Sequence, residues 1–190
     1  MLNYRSHDEP ISRIVSIDPA RGNFSIRVEE RIPPLLPRAK RDTTPRKIRM
    51  LLYQTWRDFS HKSKDQTLVY MELYQRLDKY RDLLSSCHLL IIEKQLPRNY
   101  KAIRLSQHTI SWFLLRTESM VVEIPSSMKT RVLGAPKKMS YYNTKKWGVA
   151  KAKEILTQHE DKESLLILEA DKKPDDLADT VCQLEAWLLS

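Results

Sequence analysis

Apolar and polar positions alternate with a period of two in the first third of the chain, and with a period near 3.6 after it. ISRIVSID (11–18) is apolar, β-branched and closed by an acid, which predicts a first strand. ARGN follows as a turn signal. In FSIRVEERI, Phe24, Ile26 and Val28 alternate with Ser25, Arg27 and Glu29, the pattern of an antiparallel strand with one solvated face. The basic, proline-rich stretch 33–46 reads as a loop or insertion, and RKIRMLLYQTWRDFS as a third strand. From Asp65 to Ser85 the period changes: Tyr70, Leu73, Leu77, Tyr80 and Leu84 recur at helical steps. CHLLIIEKQ is apolar on both faces and then charged, a buried strand of an α/β sheet. Ile103, His108, Ile110, Phe113 and Leu114 predict a helix to about Thr117, and SMVVEIP a fifth short strand. PSSMKTRVLGAPKKMS is a basic connection with room for a helical turn. Val149, Ala152 and Leu156 mark a helix over 144–158, while ESLLILEADKKP fits a strand or a helix end. A closing helix carries Leu177, Val181, Leu184 and Leu188 on one stripe, with Pro174 in its first turn.

Three leading strands followed by alternating helices and strands predict an α/β fold with a mixed five-stranded sheet flanked by helices. One domain over 11–190 is expected, preceded by a flexible tail (1–10). The N-terminus carries acids and lacks an apolar core, so it is not a signal peptide. No apolar run approaches a membrane span, and an intracellular, non-secreted protein without a membrane partner is expected. Cys87 and Cys182 both lie in apolar surroundings and read as buried thiols. No CxxC or CxxH pair is present, which argues against a zinc knuckle.

Charge changes the picture. The 33 Lys+Arg against 24 Asp+Glu leave a net +9, spread over PRAKRDTTPRKIR, MKTRVLGAPKK and NTKKWGVAKAK. Such a distribution suits a polyanion, nucleic acid first and anionic membrane second, against the plainer reading of a solvated basic surface. Candidate phosphate contacts are Arg38, Lys40, Arg41, Lys129, Lys137, Lys138, Lys145 and Lys146. Tyr141, Tyr142 and Trp147 flank basic residues and are candidates for stacking on bases, with Trp147 equally at home in a core.

Against that basic background, four acids stand at the ends of elements. Asp18 closes the first strand and Glu93 the fourth. Ligands of open α/β sheets gather at the carboxyl ends of strands. Were these strands parallel neighbours, the two carboxylates would lie side by side and repel unless a cation stood between them. Asp176 and Asp179 are three apart and share a helix face; Asp175 and Asp179, four apart, are the alternative pair. Hard oxygen donors of this kind suit Mg²⁺ or Mn²⁺, and a pair of ions suits phosphodiester hydrolysis. Each acid has a plainer explanation: a turn residue at Asp18, a structural ion pair at Glu93, and the helix dipole for Asp175 and Asp176. Asp179, a turn further in, is the hardest to explain that way.

VSIDPARGNFSIRV, LLIIEKQ and DDLADTVCQ, in that order, resemble the RuvC-type Holliday junction resolvases of the RNase H-like nucleases. The DPARGN turn, IIEKQ and the KKxDDxxD ending look closest to the poxvirus-type branch of large DNA viruses, and the resemblance covers roughly residues 11–190. It implies an RNase H-like fold and a Mg²⁺-dependent endonuclease acting on branched DNA with two ions, for which Mn²⁺ would substitute. It also implies a homodimer that cuts opposite strands symmetrically and leaves 5′-phosphate and 3′-hydroxyl ends. The catalytic and metal-binding acids would be Asp18, Glu93, Asp176 and Asp179. The resemblance further places a catalytic lysine at Lys129 and a second at Lys146, with Lys145 the adjacent choice. SWFLL (111–115) offers a dimer face or plain core. If the source is viral, the protein would work where viral DNA replicates. Departures from the pattern are Ala20 where the family often has glycine, a longer run between Lys129 and Lys146, and the 33–46 segment. Two alternatives stay open: an RNase H-like nuclease on hybrids or flaps, and a non-catalytic DNA-binding protein on the same fold.

Overall fold

Period-two alternation in the first strand sorts its side chains to two different helical layers. The computed structural model describes residues 10–20, 22–35, 46–57 and 65–190. The expected tail lies outside these but for Pro10, as do the candidate DNA contacts Arg38, Lys40 and Arg41. Strands β1 (Ile11–Pro19), β2 (Asn23–Leu35), β3 (Lys47–Arg57), β4 (Leu89–Lys94) and β5 (Met120–Pro125) form one mixed sheet in the order β3-β2-β1-β4-β5. β1 pairs antiparallel with β2 and β2 with β3, whereas β1–β4 and β4–β5 are parallel.

On one face, Val15, Ile17, Phe24, Ile26 and Val28 pack against α1 (Gln66–Lys79), α2 (Arg81–Ser85) and α3 (Tyr100–Arg116) through Val69, Leu73, Leu84, Leu105, Trp112 and Phe113. The expected single helix over 65–85 is two: Asp65 caps α1 by accepting from Thr67 N at 2.8 Å, and the chain breaks at Tyr80. In SWFLL, Trp112 and Phe113 are core, while Leu114 and Leu115 are exposed.

The opposite face is covered by α4 (Ser127–Val132), α5 (Tyr141–Gln158), α6 (Lys162–Ala170) and α7 (Pro174–Leu188). The ambiguous segment 162–170 is thus a helix, capped by Asp161, whose Oδ1 accepts from Ser164 N at 3.1 Å. α5 begins three residues earlier than expected because Ser140 caps it, its hydroxyl accepting from Asn143 N. α7 starts at Pro174 as predicted.

β2 overturns one expectation and extends another. Its polar face is not solvated: Ser25, Arg27 and Glu29 are all almost fully buried beneath α6 and α7. Glu29 accepts from Arg27 Nε at 2.7 Å and from Arg31 Nε at 2.6 Å. Arg27 donates onward to Asp161 and Ser164, and Arg31 to Glu185. A polar stripe reads as solvent-facing from its pattern, yet it is buried wherever each charge finds a partner. β2 also runs on through Pro33 and Pro34 to Leu35, three residues into the expected loop. The prolines fall where the β1–β2 ladder shifts register between Ile11 and Arg13, a bulge that tolerates residues without an N–H.

Candidate active site

Parallel pairing of β1 and β4 brings two acids together. Ile17 pairs with Ile92, so Asp18 and Glu93 occupy the next position on each strand, at the sheet's carboxyl edge. On β1, Ser16 and Asp18 share the face turned to α7: Ser16 Oγ donates to Thr180 O at 2.7 Å. The amide of Gln183 donates to Ser16 Oγ at 2.7 Å and to Ile17 O at 2.9 Å. α7 is therefore fixed against the strand that carries Asp18, and Leu177, Val181 and Leu184 bury its apolar stripe. Asp176 and Asp179 then project from its first two turns into the same cleft as Asp18 and Glu93, about 400 Å³ in volume.

Lys129, on the short helix after β5, stands among these acids and is 8% exposed. Its Nζ donates to Glu93 Oε2 at 2.6 Å and lies 2.9 Å from Asp179 Oδ1. Burial alone would pull its pKa down, but Asp179, Glu93 and Asp18 hold it well above the ordinary lysine value. Asp18 shows the converse. Burial first, then repulsion from Glu93 and Asp179, pushes its carboxyl well above the usual range, only partly relieved by Lys129. Burial also raises Asp176, against the pull of Lys173, whose Nζ donates to Asp176 Oδ2 at 2.6 Å.

This set fits a divalent metal by its chemistry. The donors are hard carboxylate oxygens, they repel one another, and a single ammonium stands between two of them. Among the described residues, no three acid, histidine or cysteine side chains already form a closed ion cage. Glu93 and Asp179 instead engage Lys129.

The sequence-predicted lysines divide. Lys129 lies at the centre of the site. Lys146 does not line the cleft: it is exposed, with Nζ 4.5 Å from the Tyr142 ring centroid. Lys145 lines it, in an ion pair with Asp175. The signal for this choice was present, because Lys145 continues the stripe Val149–Ala152–Leu156 by one helical step and so faces α7. Asp175 is more than a dipole partner, since it holds Lys145. Lys137 and Lys138 are exposed on the connection between α4 and α5, with Lys138 at φ 61°. Trp147 is half-buried and lines the cleft, as does Tyr141. Sequence reasoning missed Lys173 as a partner of Asp176, although the two stand three apart, and missed the Ser16–Gln183 link, whose members are 167 residues apart. Both thiols are buried and free. Burial pushes each up to about 12.

No family model matches the chain. It is 33% identical to uncharacterized protein 170L of Invertebrate iridescent virus 6 over 133 residues, covering 58% of this chain and 54% of that protein. It is 34% identical to uncharacterized protein 97L of Invertebrate iridescent virus 3, covering 62% and 56%. The chain thus spans about half the length of the curated relatives it matches. Among solved structures it is similar to Thermus thermophilus RuvC (TM-score 0.60, 11% identity, 92% of this chain and 94% of that one). Fowlpox virus resolvase in complex with its substrate Holliday junction DNA matches at TM-score 0.60 and 17% identity, over 93% and 96%. The yeast mitochondrial Holliday junction resolvase matches at TM-score 0.60 and 15% identity, over 96% and 81%. No described helix is long and apolar enough to cross a membrane. With its sheet order, its flanking helices and this similarity over most of its length, the chain has the fold of the RuvC-type Holliday junction resolvases, poxvirus-type enzymes included.

Proposed function

We propose that this protein is a metal-dependent endodeoxyribonuclease that resolves four-way DNA junctions by paired, symmetric incisions as a homodimer. One observation carries the reading: Asp18, Glu93, Asp176, Asp179 and Lys129 meet in one cleft at the carboxyl edge of the parallel strands. The resolvase fold supports it, as does the presence of junction DNA in a similar structure. The viral relatives support a role where viral DNA replicates.

Asp18, Glu93, Asp176 and Asp179 would hold the metal. When bound, two Mg²⁺ ions, or Mn²⁺ in their place, supply Lewis-acid charge to the attacking and departing oxygens of a phosphodiester displacement. The chain's own residues do the rest. Asp18, packed at the edge of the apolar core, keeps its place through the Ser16–Gln183–Ile17 hydrogen bonds just before it. Lys129, whose ammonium reaches Glu93 and Asp179 in the cleft, would donate a hydrogen bond to a phosphate oxygen as charge develops there. Lys145, steadied by Asp175, adds positive charge at the rim. Lys137, Lys138 and Lys146 on the outer surface, together with Arg38, Lys40 and Arg41, neutralise backbone phosphates. One chain presents one acid set, so paired incision takes two copies or two encounters, and the homodimer is the reading proposed.

The test is a panel of end-labelled four-way, three-way, flap, hybrid and linear duplex substrates with Mg²⁺ or EDTA. Symmetric paired nicks in the four-way junction are expected, with Asp18→Asn abolishing cutting while sparing binding. Equal cutting of linear duplex would overturn junction selectivity, and an unchanged Asp18→Asn variant would overturn the active site.

A further inference from the structure

Two large aromatic side chains stand in solvent at the start of α5: Tyr141 is 78% exposed and Tyr142 64%. A helix start is a rigid place to mount them, because Ser140 caps it and Ala152, Ile155 and Leu156 bury its far half. Only Tyr141 lines the acid cleft; Tyr142 points about 100° around the helix from it. Each ring has its own lysine, with Lys145 Nζ 5.1 Å from the Tyr141 centroid and Lys146 Nζ 4.5 Å from that of Tyr142. Behind Tyr141 the helix closes on the acids: a Cβ added at Gly148 would lie 4.0 Å from Asp179 Oδ1. A ring, an ammonium beside it and the acid-lined cleft next to both are, on the proposed reading of that cleft, the components of a site for a nucleotide with an accessible base face. A basic protein surface would be repelled by the lysines. A paired base inside a duplex would offer no free face.

We propose that Tyr141 is the stacking platform for an unpaired nucleobase of the DNA strand held in the acid cleft, with Lys145 meeting the adjoining phosphate. This deepens the junction-resolving reading and rests on it for the identity of the strand. It accounts for how the cleft would favour a branch point, where bases come unpaired, over continuous duplex. Tyr142 lies outside the cleft and takes no part in this contact.

The experiment uses the full chain carrying Asp18→Asn, so that no DNA is cut. Four-way junctions and single strands are labelled with 2-aminopurine at successive positions around the branch point. Quenching by the protein is expected at one unpaired position. Tyr141→Ala removes it and weakens binding about tenfold, while leaving the slope of log Kd against log salt unchanged, because stacking releases no counterions. Tyr141→Phe keeps both quenching and affinity, and Tyr142→Ala keeps the quenching. Quenching that survives Tyr141→Ala at every position overturns the proposal, as does an equal loss in Tyr142→Ala. If the parent chain cuts junctions but quenching ignores Tyr141, only this inference fails. If quenching follows Tyr141 but the parent chain cuts nothing, the nuclease reading fails instead.

Discussion

The side-chain amide of Gln183 donates a 2.7 Å hydrogen bond to Ser16 Oγ, joining the helix that carries Asp176 and Asp179 to the strand that carries Asp18. Both residues are fully buried, and the same amide nitrogen reaches Ile17 O. Replacing Gln183 by Leu leaves Ser16 Oγ one partner short and the two acid-bearing elements joined, beyond apolar packing, by the Ser16 Oγ to Thr180 O hydrogen bond. The expected cost is about 2 kcal/mol, seen as a lower denaturation midpoint. The expected signature beyond stability is weaker Ca²⁺ binding by calorimetry, because the distance between Asp18 and Asp179 is held less firmly. Ser16→Ala should lose affinity in the same direction. A variant that loses stability but binds Ca²⁺ as the parent does would show the link to be structural only.

Lys129 sits where the acids most need positive charge, and it competes with a metal for them. Lys129→Met removes the ammonium and keeps the stem. In EDTA the variant should be less stable by about 3 kcal/mol, since Glu93 and Asp179 lose their partner and Asp18 its nearest relief. Ca²⁺ should restore more stability to it than to the parent, because the ion meets no competing cation. Thermal melts across a Ca²⁺ titration check this, and equal Ca²⁺-induced shifts in the two proteins would refute it. Junction cleavage in Mg²⁺ should fall about a hundredfold, from the lost donor to the phosphate.

The acids were legible in the sequence because the signal was local. An apolar strand that closes on a carboxylate shows its own end, and DDLAD shows its own helix face. Partners were not legible. Nothing in FSIRVEERI shows that Arg27 will meet Asp161, since a buried ion network and a solvated stripe share one alternating pattern. ESLLILEA stayed ambiguous because a short apolar run fits either period, and Asp161 as a cap decided it. Motif position favours Lys146 over Lys145. The phase of the α5 stripe, which sets Lys145 and Tyr141 on the cleft side of the helix together, points the other way.

The buried network under α6 and α7 predicts a pH dependence. Burial would raise Glu29, but Arg31 and Arg27 outweigh it and lower the carboxyl from 4.5 to about 2. A carboxyl depressed on folding stabilises the protein above its unfolded value and loses that contribution as pH falls through the folded one. Stability should therefore fall between pH 4.5 and about 2, by about 3 kcal/mol from this group. Glu29→Gln should lower the melting temperature at pH 7, because Arg27 and Arg31 keep their buried charges. It should also flatten the acid limb, which melts taken at steps of pH would show.

Lys145 and Lys146 are neighbours in sequence but point about 100° apart, and the chemistry should tell them apart. Lys145 reaches into the cleft and pairs with Asp175; Lys146 lies over Tyr142 on the outer surface. Lys145→Ala should slow single-turnover junction cleavage tenfold or more in saturating enzyme, since it removes charge beside the reacting phosphate. Lys146→Ala should leave that rate within about threefold of the parent and act on affinity, lowering the salt slope by about one. Asp175→Asn should fall between them, because it frees Lys145 without removing its charge. Rates that single out Lys146 would mean that α5 is rotated by one residue in the DNA-bound protein, which would move Tyr141 out of the cleft as well.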